Sequence, residues 1–140
     1  MVILIDTNVL LDFLLHREQG YRSAKKVVDY CVENPEKGYI AFHTVPTIFY
    51  VLRKYVDLPK RREMLKDICS VVTVIGTSHG KVMEAIDRQD FSDFEDCLQM
   101  YCAKDVGADY IVTNNITDYM QSDVPAITSE QAAGMLETKS

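Results

Sequence analysis

No apolar run in this chain approaches the roughly 20 residues that cross a bilayer, so the sequence offers no membrane span. The opening lacks a basic segment and Asp6 interrupts its apolar run, so it does not read as a signal peptide. Repeats, linkers and low-complexity stretches are absent. The cysteines Cys31, Cys69, Cys97 and Cys102 have no CxxC spacing; all four read as small core residues in a reducing cytosol. Positive charge is in deficit, with 15 Lys and Arg against 21 Asp and Glu. A net charge of −6 counts against passive nucleic-acid binding and fits an acidic site neutralised by a divalent cation, although many proteins carry such charge for solubility alone. What is present is a 140-residue chain with 47% hydrophobic residues, enough for one domain over residues 1–140 with a real core.

Strand and helix patterns alternate along it. Val2-Ile3-Leu4-Ile5 is an unbroken apolar run, as in a strand buried on both faces of a parallel sheet. A mostly buried helix over Val9–Leu15 ends at His16-Arg17-Glu18. A second helix spans Gln19–Val32, with Ala24, Val27, Val28 and Cys31 on one face. Asn34–Gly38 is a turn cluster and Tyr39–Phe42 a strand. Thr44 is placed to cap a helix carrying Ile48, Val51, Leu52 and Tyr55, and Asp57-Leu58-Pro59 opens another through Met64, Leu65 and Ile68. Ser70–Ile75 is β-branched and strand-like. Ser78 begins a helix with Val82, Ala85 and Ile86. Ser92-Asp93-Phe94-Glu95 has the form of a capping box, Ser92 capping and Glu95 reaching back, for a helix that Gly107 ends. Ala108–Thr113 is a fourth strand, Asn114–Tyr119 a polar loop, Val124–Ile127 an edge strand, and Ser129–Leu136 a terminal helix. Such alternation implies right-handed crossovers and a parallel sheet with helices on both faces.

The chemistry-bearing residues each have two readings. Asp6 is either a helix N-cap or a carboxylate at the carboxyl edge of a central strand, where open α/β sheets place their sites. Asp93 and Asp96 share a helix face about 5–6 Å apart, and first-turn acids are often only dipole partners. Asn115 and Asp118 fit ordinary turn chemistry. Taken together, these residues put oxygen donors after two strands and at one helix start. Converging carboxylates repel, and at neutral pH protons or a hard cation must offset the repulsion; Mg²⁺ or Mn²⁺ suits oxygen ligands.

Three blocks carry a family resemblance: Ile5-Asp6-Thr7-Asn8-Val9-Leu10-Leu11-Asp12, Asp93-Phe94-Glu95-Asp96-Cys97-Leu98-Gln99, and Gly107 through Tyr119. In order and spacing they resemble a bacterial PIN domain of the VapC-like or PilT N-terminus-like type. The resemblance implies a three-layer α/β/α Rossmann-like fold with a parallel sheet ordered 3-2-1-4-5, bringing Asp6 beside the loop of Asn115. It implies a Mg²⁺- or Mn²⁺-dependent ribonuclease acting on RNA in the cytoplasm, commonly a homodimeric toxin held by a small antitoxin protein. Carried over, Asp6 and Asp96 match the principal metal-binding acids, and Asp93, Asn115 and Asp118 match further site positions. Arg17, Arg53 and Lys54 are candidates to hold RNA phosphates, each with solvation as its plainer account.

One position departs from the family pattern. Relatives place an acid where this chain has Thr47, and a lost charged oxygen weakens a hard-cation site. His43, Asp12 or Asp118 compensates, or the protein is a weak or inactive nuclease serving as an RNA- or protein-binding module. Asp12 lies six positions beyond Asp6, need not face the same way on a helix, and has Arg17 as an alternative partner.

Overall fold

The structure is a computed structural model and describes residues 1–138. Ile3–Ile5 form β1, wholly buried as the unbroken apolar run requires. Thr7–Leu14 form α1, and His16 then turns the chain with a positive φ of 50°. Tyr21–Glu33 form α2, with Ala24, Val27, Val28 and Cys31 buried along the expected face. Next come β2 (Gly38–Ala41), α3 (Thr44–Leu52), α4 (Leu58–Val71), β3 (Thr73–Ile75) and α5 (His79–Asp87). The chain continues through α6 (Phe94–Asp105), β4 (Tyr110–Val112), a 3-10 turn (Ile116–Tyr119), β5 (Ala126–Ile127) and α7 (Ser129–Thr138).

All five strands are parallel, in the order β3-β2-β1-β4-β5. β1 is central: Ile3 pairs with Gly38 on one side and with Tyr110 on the other. Side chains of a strand alternate between faces. Ile3 and Ile5 join α1, α2, α3, α4 and α7 in one apolar cluster, while Leu4 joins α5 and α6 in another. The result is a helix–sheet–helix sandwich, as the alternation of patterns implies, with the strand order that the family resemblance implies. Among the described residues no helix is long and apolar enough to cross a membrane.

Several local expectations are corrected. Ser70 and Val71 belong to α4, because the last turn closes through Val72 N–H to Ile68 C=O and a Ser70 hydroxyl bond to Asp67 C=O. Only Thr73–Ile75 pair with β2, at an edge where the residues are largely exposed. Cys69 lies on the outer face of α4 and is exposed, unlike the three buried cysteines. Tyr55 and Ile86 are likewise exposed, Tyr55 beyond the end of α3. Thr44 does not cap α3; it is fully buried as that helix's first residue, its hydroxyl 3.0 Å from that of Thr7. Asp93, not Ser92, caps α6 by accepting the Asp96 N–H, one register step later than a Ser92–Glu95 box.

Candidate active site

The end of β1 fixes Asp6. Its N–H donates to the C=O of Val112, the last residue of β4, at 2.9 Å, continuing the β1–β4 ladder one residue beyond β1. The carboxylate then caps α1, Oδ1 accepting the Thr7 N–H at 2.8 Å. Two more donors converge on it: Gln99 Nε2 reaches Oδ1 at 2.8 Å from α6, and Thr113 Oγ1 reaches Oδ2 at 2.8 Å from the end of β4. The cap and the sheet-edge carboxylate are therefore one residue. An ionised carboxylate has about four lone-pair sites. Three are taken, which leaves acceptor capacity on Oδ2.

α6 brings the second group of acids. With Asp93 at the cap, Asp96 falls in the first turn and turns inward, its Oδ1 accepting from the Tyr119 hydroxyl at 3.2 Å. The loop after β4 supplies the third. Asn115 donates its amide to Asp118 at 2.8 Å, and its backbone N–H donates to Thr113 Oγ1 at 3.1 Å. Asp6, Asp93, Asp96, Asn115 and Asp118 all line one cleft of about 290 Å³, so the structure brings these five candidates together.

The electrostatics of this cleft are unbalanced. Burial first, then the neighbouring Asp93, Asp6 and Asp118 charges, push the Asp96 carboxyl up to about 7. Burial likewise raises Asp6, against the lowering effect of its Thr113 and Thr7 bonds. Tyr119, buried beside Asp6 and Asp96, is held strongly in its neutral, donating form. Among the described residues, no three His, Cys, Asp or Glu side chains stand close enough together to enclose an ion as they are. The donor set nevertheless fits a hard cation: it is all oxygen, sits in one cleft, and carries more negative charge than its surroundings neutralise.

The compensating candidates divide. Asp12 faces away from the cleft: it is buried, accepts Asn114 Nδ2 at 2.7 Å and meets Arg17 at 3.4 Å. That contact also ties Arg17 into a brace. His43 lies on the rim, Nε2 3.2 Å from Glu95 C=O. Thr47 lines the cleft, but its hydroxyl donates back to His43 C=O at 2.9 Å, a bond within its own helix. Arg53 stacks over Tyr50, 3.6 Å from the ring centre.

Sequence reasoning missed the residues that hold Asp6 and Asp96 in place: Gln99, Thr113 and Tyr119. Gln99 had a signal, since it lies three positions after Asp96 on the same helix face and is a polar residue among buried neighbours. Thr113 showed only as the polar end of an apolar strand.

A Rossmann-like sheet whose central strands deliver acids to a shared carboxyl-edge cleft defines the class. The family model described as PIN domain matches residues 2–117, and the chain belongs to that family. Ribonuclease VapC1 of Aquifex aeolicus (strain VF5) is 25% identical over 133 residues, covering 92% of this chain and 91% of the relative. The crystal structure of PAE2754 from Pyrobaculum aerophilum superposes with a TM-score of 0.70 at 22% identity, covering 99% of this chain and 96% of that one. A chain of a toxin–antitoxin complex from Klebsiella pneumoniae does so with a TM-score of 0.66 at 22% identity, covering 91% and 97%.

Proposed function

We propose that this protein is a divalent-cation-dependent endoribonuclease that hydrolyses RNA phosphodiester bonds. The observation that carries the reading is the convergence of four aspartates, from the end of β1, α6 and the loop after β4, on one cleft where their repulsion is unneutralised. Asp6 and Asp96 would hold Mg²⁺ or Mn²⁺. Such an ion, when bound, supplies a lowered water pKa and a counter-charge for a phosphodiester. The chain's own groups prepare for this. Thr7, Gln99 and Thr113 fix the Asp6 carboxylate, and Tyr119 fixes that of Asp96. Asp93 sets the first turn of α6 that aims Asp96. Asp118, steadied by Asn115, takes up the proton released by the attacking water at its carboxylate.

The curated relative's name, Ribonuclease VapC1, supports the reaction class. The likeness to a chain of a toxin–antitoxin complex supports a role as a toxin held by an antitoxin protein; a homodimer as the working form rests on the family resemblance alone. One observation favours a second reading, a catalytically weak RNA- or protein-binding module: Thr47 replaces an expected acid and turns its hydroxyl away to His43.

Mn²⁺ or Mg²⁺ at millimolar concentration is expected to raise the melting temperature of the wild type, and not that of Asp6→Asn or Asp96→Asn. Mixed RNA should be cut with the cation and spared in EDTA, and each substitution should slow cutting by at least about a hundredfold. A melting curve that neither cation moves would remove the physical basis of the nuclease reading. A cation-dependent shift without cutting would select the binding module.

A further inference from the structure

Cations without an ionic partner are not spread evenly over this molecule. Arg17, Lys25, Lys81, Arg88 and Lys104 all lie within ion-pair distance of a carboxylate. Residues 53–71, the turn after α3 plus α4, carry six of the chain's Lys and Arg against three acids. That is a local charge of +3 in a chain of −6. Of these six, only Lys60 pairs among the described residues, with Glu63 at 3.5 Å. Among the described residues Arg53 and Lys54 have no carboxylate within ion-pair distance, and both are exposed.

The basic corner adjoins the acidic cleft. Thr47 and Val51 of α3 line that cleft, and the Lys54 N–H donates to Val51 C=O at 3.4 Å, so Lys54 follows the cleft wall by one turn. Two tyrosines stand with it, Tyr50 at 61% exposure and Tyr55 at 59%. The Arg53 guanidinium lies over Tyr50, 3.6 Å from the ring centre, and donates to Tyr50 C=O at 2.8 Å. Exposed aromatic faces among unpaired cations are what a flexible nucleic-acid strand requires: charge for its backbone, and π-faces or guanidinium planes for unstacked bases. A regular duplex offers no free base faces to such rings.

Resting on the ribonuclease reading, we propose that the corner formed by the end of α3 and the turn into α4 binds single-stranded RNA beside the cleft. Arg53 and Lys54 hold phosphates, and Tyr50 and Tyr55 stack bases. The strand would thus be drawn across an otherwise repulsive acidic mouth by a basic edge on one side of it.

The test is fluorescence anisotropy of a labelled 12-nucleotide oligouridine with the full chain, in EDTA so that nothing is cut. Salt is varied from about 50 to 200 mM, a range over which phosphate contacts weaken measurably. The Arg53→Gln/Lys54→Gln variant should lower the slope of log Kd against log salt by about 1.4, two single-strand phosphate contacts' worth. Tyr50→Leu/Tyr55→Leu should weaken binding at least about fivefold with the slope unchanged. Arg22→Gln/Lys37→Gln, which removes two unpaired cations elsewhere, should behave as the wild type. A duplex of the same length should bind more weakly than the strand. Any of three results overturns the proposal: no binding of the strand by the wild type, a wild-type slope in the Arg53/Lys54 variant, or equal binding of the duplex. A wild-type slope would leave the corner to an acidic protein partner. Binding is read without catalysis, so loss of the nuclease reading would show as an uncut RNA pool with patch-dependent binding intact. Loss of this inference would show as cutting with patch-independent binding.

Discussion

Asp96 makes the charge imbalance of the cleft measurable. Its folded carboxyl holds a proton up to about pH 7, whereas the unfolded one releases it near 3.8. Between those values the folded state binds more protons, so the stability Asp96 contributes is present at low pH and lost as pH rises through about 7. Unfolding by urea should therefore show the protein more stable at pH 5.5 than at pH 8, on the order of 1–2 kcal/mol after screening of a half-exposed group. Asp96→Asn should flatten that difference, and saturating Mn²⁺ should reduce it. The supports of Asp6 differ in a second way. Gln99 Oε1 is buried with no partner among the described residues, so Gln99→Leu loses a donor to a carboxylate but also removes an orphaned oxygen. Thr113→Val loses the donor and the acceptor of the Asn115 N–H with no such relief. Thr113→Val should cost about 1–2 kcal/mol more than Gln99→Leu in chemical denaturation. The acids drew notice by falling together after two strands and at one helix start, while each alone had a plainer reading as a cap or turn residue, and their expected roles came from the family resemblance. Their supports were not legible in the sequence, because a Gln or Thr acquires its role only through a contact with a residue some hundred positions away.

At the scale of elements, what the sequence states locally came through. The apolar run gives β1, the 3.6-residue period gives the buried face of α2, and Gly107 ends α6 with a φ of 63°. Gly107→Ala should cost about 1 kcal/mol, read as a lowered urea midpoint, since a side chain is strained in the left-handed region. Expectations failed where packing overrode propensity. Val71 is β-branched yet helical, because Ile68 and Val72 are drawn into the core beneath α4. The α6 cap moved from Ser92 to Asp93 because either residue can serve and the register is set by which turn buries Cys97 and Gln99. The brace between α1 and the site loop was partly legible, since Asp12 was given Arg17 as a partner but not Asn114. Asp12 accepts from Asn114, which neighbours Asn115, and Asn114 in turn accepts from Ser129 of α7 at 3.3 Å. A Cβ at Gly20 would lie 2.2 Å from Asp12 Oδ2, an oxygen that Asn114 holds in place. Gly20→Ala should destabilise the fold by about 1–3 kcal/mol and loosen the Asn115 loop, seen as faster amide exchange there.

The whole molecule closes around residues distant in sequence. α7 lies on α2 and completes the cluster beneath β1, with Ala132 and Leu136 buried in it. Leu136→Ala should cost about 2–3 kcal/mol in thermal or urea unfolding, and truncation after Thr128 should cost more, since the face of α2 would then meet water. The central position of β1 has a consequence in time. β1 is paired on one side by β4, which follows it by about a hundred residues, through Ile3 with Tyr110 and Ile5 with Val112. A chain emerging from the ribosome therefore carries Asp6 without Asp96, Gln99, Thr113 or Asp118 beside it until those later residues have been made. On the ribonuclease reading proposed above, the cleft stays incomplete during synthesis until β4 and the loop after it have cleared the exit tunnel and β4 has paired with β1.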